Sequence, residues 1–198
     1  MTPAEMRDLL REDVVAAARA LLGWTLHRGS LAAQIVETEA YRYDEAACHA
    51  YGKTKMKNMA LFGPPGRAYI YFTYGCHWML NISALEEGSA AAVLIRAAMP
   101  LSGQETMASR RPKAVRETDL LSGPGKLAAA FGIDARQNEL DLLEPNEDLF
   151  FAPGDAATDI LVGPRVGIAI GKAHDYPWRF IDRGLLKWAS KPWPRSGP

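Results

Sequence analysis

The chain has 198 residues, of which 48% are hydrophobic, so we expect one domain with its own core and exclude a largely disordered protein. Its 23 basic and 23 acidic residues give a formal net charge of zero, which taken alone disfavours a nucleic-acid binder. The sequence has no apolar run long enough for a membrane span and starts with polar residues, which predicts neither a membrane protein nor a secretory signal.

A helix is the first predicted element. Thr2 suits the N-cap, Pro3 the first turn and Glu5 the reciprocal position of a capping box. Apolar residues at helical spacing follow as far as Gly23, which suits a helix end. Asp13 is expected to cap a second segment, so we predict a break there.

The next stretch, residues 26–41, is predicted to be an extended pair or a strand that ends in IVETEAY over residues 35–41. Side chains alternate along a strand, so its odd-numbered residues share one face. That face carries Ile35, Glu37, Glu39 and Tyr41. Two carboxylates and an aromatic indicate a strand that leaves the core and delivers acids into a cleft. Within it, Glu37 is interpreted as a structural residue or a charge at the pocket rim.

A long connection over residues 42–66 follows, and long loops in compact domains are often functional. It contains His49, followed by a run of basic residues over 53–67 with no acid among them. These basic residues are Lys53, Lys55, Lys57 and Arg67. The run predicts a positive face beside the central site, although ordinary solvated surface accounts for it equally well.

Three strands over residues 68–74, 77–84 and 90–97 are predicted to form an antiparallel meander. In the first strand, Tyr69 and Tyr71 share a face, and the residues between and after them share the other. Such aromatic residues usually fill cores, so their proximity to a carboxylate and a histidine is what favours a site.

The first turn of this meander falls at Tyr74 and Gly75, where glycine permits a tight return. We therefore expect the Tyr74 ring to project from the hairpin tip. Arg96 lies within the apolar third strand, so it is expected either to be paired inside the protein or to face a cleft.

The remaining chain is predicted to hold a short helix over residues 100–116 and a helix that begins at Ser122-Gly123-Pro124. The second helix start suits either a phosphate site assisted by Lys126 or an ordinary capped helix. Acidic turns and short strands are expected over residues 134–159, and the end of the chain is expected to be a loose tail. Further strands are predicted over residues 161–170 and 178–182.

The two cysteines, Cys48 and Cys76, are not spaced as metal ligands. We therefore expect free thiols, a reducing cytoplasm and no metal site.

A single carboxylate close to several aromatic rings predicts a pocket for a flat ring. Glu39 suits a general base, and Tyr41, His49 and Tyr71 suit the walls that hold the ring. An exposed Tyr74 beside a basic loop suggests a wedge that enters a nucleic-acid duplex. Together these features describe base flipping, for which glycosylases are an established example.

At this point the chain closely resembles the 3-methyladenine (alkyladenine) DNA glycosylase family, over about residues 20 to 183. The matching segments are IVETEAY (35–41), EAACH ending at His49, KNMALFGPPGRAYIYFTYG (57–75), LNIS around Asn81, VLIRAAMPLSG (93–103), LLSGPGKL (120–127), PRVGIAI (164–170) and PWRF (177–180). The resemblance implies one α+β domain over residues 1–198, with a loose tail over 190–198. Its sheet would be curved and mostly antiparallel, flanked by helices and carrying a protruding β-hairpin, as in formyltransferase C-terminal domains.

The resemblance also implies a role for each matched residue. Glu39 would direct water at the sugar C1′, with Arg96 organising that water, and Tyr74 would replace the flipped nucleotide. The base pocket would consist of Tyr41, His49, Tyr71 and Asn81. Asn81 would disfavour purines that carry a guanine-type amino group.

The implied activity is release of alkylated or deaminated purines from double-stranded DNA by a monofunctional enzyme that leaves an abasic site. The implied substrates are 3-methyladenine, 7-methylguanine, hypoxanthine and ethenoadenine. The protein would be a monomer that needs no cofactor or metal. Candidate contacts to the DNA backbone are Lys53, Lys57, Lys126 and Arg165.

Three other functions are compatible with parts of the sequence. One is a catalytically silent reader of damaged nucleic acid on the same scaffold, against which Glu39 argues because a carboxylate near phosphates does not help binding. The second is an RNA- or protein-binding module related to formyltransferase C-terminal domains. The third is a hydrolase of free nucleosides, which would leave Tyr74 and the basic loop without a purpose.

Overall fold

The computed structural model describes residues 1–54, 59–146 and 148–190, in which four α-helices accompany eight β-strands. The helices are α1 (Pro3–Glu12), α2 (Val14–Ala20), α3 (Gln104–Arg110) and α4 (Pro124–Phe131). The strands are β1 (Thr25–Arg28), β2 (Leu31–Arg42), β3 (Ala68–Thr73), β4 (His77–Ala84), β5 (Ala91–Ser102), β6 (Phe150–Ala152), β7 (Ile160–Gly163) and β8 (Arg179–Asp182). Short 3₁₀ helices cover Met59–Phe62, Glu117–Asp119, Ala135–Gln137 and Arg183–Trp188.

The two N-terminal helices begin as the sequence predicts. The Thr2 hydroxyl accepts a hydrogen bond from the Glu5 N–H, and the Glu5 carboxylate accepts one from the Thr2 N–H. Asp13 ends α1, and its carboxylate caps α2 by accepting two backbone N–H groups. The predicted capping box and the predicted break are both confirmed.

All eight strands belong to one antiparallel sheet, in the order β3-β4-β5-β2-β1-β6. β2 pairs with β5 along one edge, and its other edge is shared between β1 and β8, with β7 beyond β8. β3 and β4 form a hairpin at the end of this order. The α+β class, the curved antiparallel sheet and the hairpin are therefore as predicted.

The two faces of the sheet have different roles. On one face, Ile70, Leu80 and Ile95 join the main core, together with buried residues of all four helices. On the opposite face, Tyr69 and Ala92 pack against the chain that connects β2 to β3. The second face is thus partly covered by a loop, and it is there that a cavity opens.

The predicted side-chain alternation of β2 is wrong at its centre, because the strand contains a β-bulge. The pairing of β2 with β5 shifts register between Ile35 and Glu37. Ile35 consequently belongs to the main core, whereas Val36 packs with Ala97 and Trp188 in a separate cluster. Glu37 and Glu39 still share a side, but Ile35 does not share it with them.

Two predicted elements have different bounds in the structure. Residues 100–102 extend β5, since they pair with the start of β2, and the predicted helix is limited to Gln104–Arg110. The strand predicted over 161–170 ends at Gly163. The next residue is a proline, which has no N–H for the ladder.

The C-terminal end of the described chain is anchored rather than loose. The tail is predicted to begin at residue 190, but the Ser190 N–H and hydroxyl both donate to the buried Glu37 carboxylate. The rest of the predicted tail, residues 191–198, lies outside the described residues. Among the described helices, none is both long and apolar enough to cross a membrane.

Candidate active site

The loop-covered face of the sheet holds a cavity of about 390 Å³. Side chains from β2 to β5 form its base, and the loops around His49 and Val166, with Pro124 at the start of α4, form its walls. Six of the predicted site residues line it: Tyr41, His49, Tyr71, Tyr74, Asn81 and Arg96. These residues come from distant parts of the chain, so the fold itself creates the pocket.

Glu39 lies directly behind this cavity and is fully buried. One carboxylate oxygen, Oε2, accepts hydrogen bonds from the Tyr41 hydroxyl (2.8 Å) and from Arg96 Nη1 (3.1 Å). The other, Oε1, accepts from the backbone N–H of Val166 (2.7 Å). All three donors belong to residues that line the cavity. The carboxylate is therefore held one residue layer beneath the cavity wall.

Arg96 joins Glu39 to a second buried carboxylate, Glu37. Arg96 Nε donates to Glu37 Oε1 at 3.0 Å, and Arg179 Nε donates to the same oxygen at 2.8 Å. Burial acts to lower the pKa of Arg96, but the charges of Glu39 and Glu37 outweigh it and the pKa is raised. Two carboxylates thus face two guanidinium groups, so the formal charges of the cluster cancel.

Sequence reasoning missed part of this cluster. Of the two interpretations of Glu37, the structure favours the structural residue over the charge at the pocket rim, because Glu37 is fully buried between the two arginines. Arg179 and Ser190 received no role, although Arg179 belongs to the PWRF segment that carries the family resemblance. An arginine inside a short apolar strand was the available signal, as it was for Arg96.

Several aromatic rings line the cavity. The His49 and Tyr71 rings meet edge to face with centroids 4.5 Å apart, and His49 Nδ1 lies 3.0 Å from the Tyr69 hydroxyl. Burial and the nearby Lys53 charge lower the pKa of His49, which favours the neutral imidazole at pH 7. Burial raises the pKa of Tyr71 to about 12 and that of Tyr41 well above its ordinary value, so both hydroxyls keep their protons. Tyr69 is a lining residue that sequence reasoning did not select.

Asn81 is buried at the base of the cavity. Its Nδ2 donates to the backbone oxygens of Tyr69 (2.9 Å) and Met79 (3.4 Å). Because these carbonyls use the amide nitrogen, the side-chain oxygen is the atom left to meet a ligand.

Tyr74 occupies the tip of the β3–β4 hairpin, where its side chain is 83% exposed. Tyr74 and Gly75 both have positive φ, at 54° and 68°, and the Cys76 N–H closes the turn onto the Thr73 oxygen. A bulky aromatic residue is an outlier at positive φ, where glycine or asparagine is usual. The turn therefore holds an exposed ring at a conformational cost.

The candidate phosphate contacts differ in their surroundings. Lys53 is exposed and donates to the His49 oxygen, and Lys126 is half-buried and donates to the Ser122 hydroxyl. Lys57 lies outside the described residues.

The structure is incompatible with the prediction that Arg165 contacts the DNA backbone. Its side chain is fully buried and donates to both oxygens of Glu45, at 2.7 and 2.9 Å. Its guanidinium also lies over the Tyr41 ring, 4.6 Å from the centroid. Arg165 therefore ties the loop that carries His49 to β2 and to the loop of Val166, and a phosphate has no access to it.

The described residues contain no group of three or more His, Cys, Asp or Glu side chains arranged to hold a metal ion.

Two comparisons with known proteins point to one family. The model of the family described as "Methylpurine-DNA glycosylase (MPG)" matches residues 8–185. A protein of Rhodopseudomonas palustris strain HaA2 is 44% identical over 182 residues, which cover 92% of this chain and 88% of the relative. A protein of Methanocella arvoryzae is 41% identical over 187 residues, covering 91% and 93% of the two chains. Both relatives carry the name "Putative 3-methyladenine DNA glycosylase".

The family match covers most of the chain, over a range that contains the cavity-lining residues. The chain belongs to the methylpurine-DNA glycosylase family.

Proposed function

We propose that this protein is a monofunctional DNA glycosylase that rotates an alkylated or deaminated purine out of duplex DNA and hydrolyses its N-glycosidic bond. The observation that carries the proposal is the Glu39 carboxylate, held by three donors from cavity-lining residues behind an aromatic pocket. The substrates proposed are 3-methyladenine, 7-methylguanine, hypoxanthine and ethenoadenine. The product is DNA with an abasic site.

Glu39 is proposed to act as the general base. A carboxylate offers about four acceptor positions, and three are occupied, so one remains for a water molecule. The water oxygen bonds to C1′ while the bond from C1′ to the purine nitrogen breaks and its electron pair leaves with the base. Glu39 takes the water proton, and its negative charge stabilises the oxocarbenium-like state.

The leaving purine determines whether protonation of the base would help the glycosidic bond to break. A purine alkylated at N3 or N7 is already cationic and departs as a neutral base. Hypoxanthine is neutral and leaves more readily once protonated. The Tyr41, His49 and Tyr71 rings are proposed to hold either kind of base, since aromatic stacking accepts any planar ring.

Tyr74 is proposed to enter the duplex in place of the flipped nucleotide. Its exposure and its position at the cavity edge support this role. Asn81 is proposed to discriminate among purines, and its fixed amide supports that assignment. Lys53, Lys57 and Lys126 remain candidates for contacts to the DNA backbone.

A catalytically silent reader of damaged DNA is the second candidate. The observation that favours it is the complete burial of Glu39, which is not itself among the cavity-lining residues. Such a protein would use the same pocket and wedge to bind a flipped base without releasing it.

The test is base release from duplex DNA that carries a single 7-methylguanine or hypoxanthine. Glu39→Gln keeps the size of the side chain and removes the base, so we expect the rate to fall roughly 100- to 10,000-fold with DNA binding retained. Glu87→Gln, the same change at an exposed turn residue, serves as the matched control and should act like the natural protein. Binding of damaged DNA without release of any lesion by the natural protein would instead support the silent reader.

A further inference from the structure

Glu37 is a buried carboxylate to which the proposed reaction assigns no role, yet it is fully hydrogen-bonded. Its Oε1 accepts from Arg96 Nε (3.0 Å), Arg179 Nε (2.8 Å) and the Ser190 hydroxyl (2.8 Å). Its Oε2 accepts from the Ser190 N–H. These four bonds fix the carboxylate in one orientation at the base of the cluster.

The contact to Glu37 sets the direction of the Arg96 guanidinium. Arg96 Nε is held by Glu37, and Arg96 Nη2 donates to the Ser190 hydroxyl at 3.0 Å. A guanidinium is planar, so fixing these two nitrogens also fixes the third. That third nitrogen, Nη1, is the one that donates to Glu39 at 3.1 Å, and Arg96 is one of the residues that line the cavity.

The charge of Glu37 also affects Glu39. Arg96 contacts both carboxylates, and Arg179 contacts Glu37. Without the charge of Glu37, Arg96 would keep Glu39 as the only one of these two carboxylates to hold. The anionic form of Glu39 would then be favoured, which makes it a weaker base.

We propose that Glu37 is a positioning residue for the reaction: it aims Arg96 at Glu39 and offsets the arginine charge so that Glu39 can accept a proton. The proposal rests on the proposed function above. It gives a role in the reaction to the first glutamate of IVETEAY, Glu37, in addition to the second, Glu39.

Other groups around Glu39 remain the same when Glu37 is changed. Tyr41 of β2 donates to Glu39, and the loop between β7 and β8 contributes the Val166 N–H. Arg165 from the same loop lies over the Tyr41 ring, and Tyr71 of β3 lines the cavity. The change at Glu37 is thus the only alteration in charge near the base.

The experiment compares Glu37→Gln with the natural protein and with the exposed control Glu87→Gln. Release of 7-methylguanine is measured with enzyme in excess over duplex, from neutral to acid pH. This cationic base leaves without added protons, so the acid limb of the profile reports the general base. We expect Glu37→Gln to lower the rate roughly 10- to 100-fold, as when a group that orients a metal ligand is removed. We also expect the acid limb to move to lower pH.

A purely structural role would scale the rate equally at every pH and leave the limb in place, and that result would overturn the proposal. So would a rate equal to that of Glu87→Gln. Binding to a duplex with a stable abasic-site analogue should be unchanged in Glu37→Gln, which separates an effect on rate from one on affinity.

If Glu37→Gln does not fold, the experiment uses Glu37→Asp instead. Aspartate keeps the charge but is one methylene shorter, so we expect a lower rate with the acid limb at its natural position. A natural rate in Glu37→Asp would refute the positioning role. If the natural protein releases no lesion, the proposed function is wrong. If the natural protein releases the base and the Glu37 variants release it at the same rate, only the role of Glu37 is contradicted.

Discussion

Replacing Tyr74 by asparagine should make the protein more stable and less active. Tyr74 adopts φ of 54°, and a left-handed conformation costs most residues about 1–2 kcal/mol. Tyr74→Asn would place Asn-Gly in the turn, the pair that this conformation favours. The ring is 83% exposed, so little buried area is lost. We expect the free energy of unfolding to rise by about 1 kcal/mol, which is roughly 2–4 °C in Tm for a chain of this length.

The effect on base release has the opposite sign. A ring that stacks against bases contributes about 1–3 kcal/mol per base. Loss of the Tyr74 ring should therefore slow single-turnover release of hypoxanthine from duplex DNA roughly 5- to 150-fold. Release of the same base from single-stranded DNA, where no gap needs to be filled, should change much less.

Two control variants separate the two effects. Tyr74→Phe keeps the aromatic ring and also the conformational cost of positive φ at this position. Its Tm and its rate of base release should therefore match those of the natural protein. Tyr51→Asn makes the same substitution at another exposed tyrosine that lacks positive φ, so its Tm should not rise. A Tm for Tyr74→Asn at or below the natural value would refute the strain argument, and a natural rate on duplex DNA would refute the wedge.

Two substitutions and one labelling experiment test the surroundings of the site. Arg165→Lys cannot keep both bonds to Glu45, and breaking this buried pair should lower the free energy of unfolding by about 3 kcal/mol. The expected fall in Tm is roughly 6–12 °C. An unchanged Tm would show that the pair does not stabilise the fold. Tyr41→Phe removes one of the three donors to the proposed general base, so base release from duplex DNA should slow, and a rate equal to that of the natural protein would contradict the role of that bond. Burial raises the pKa of the Cys48 thiol to about 11, whereas Cys76 is exposed. In the folded protein a thiol reagent should therefore modify Cys76 quickly and Cys48 only slowly. Equal rates of modification at the two cysteines would contradict the burial of Cys48.

Local elements of the fold could be predicted because their causes lie close together in the sequence. The capping box of Thr2 and Glu5 joins residues three apart, and the hairpin turn follows from Tyr74-Gly75 between two aromatic strands. Tyr69 and Tyr71 meet with ring centroids 5.4 Å apart because alternation along an undistorted strand needs no knowledge of the rest of the chain.

Predictions failed where a distant segment decides the outcome. The bulge in β2 depends on its pairing with β5, so alternation alone placed Ile35 on the wrong face. The basic character of Arg165 suggested a phosphate contact, but its partner Glu45 lies 120 positions earlier in the chain. A charge pattern does not show which charges are buried together.

The sequence by itself determined the family, the α+β class, the hairpin and six of the residues that line the cavity, because separated motifs and local periodicity carry that information. Only the tertiary structure decided that Glu39 lies behind the cavity wall and that Glu37 is a buried partner of Arg96 and Arg179. Burial and ion pairing arise when segments far apart in the chain close around one another. The physical reason is desolvation, since a carboxylate that leaves water must meet its donors, and the fold chooses which donors are present.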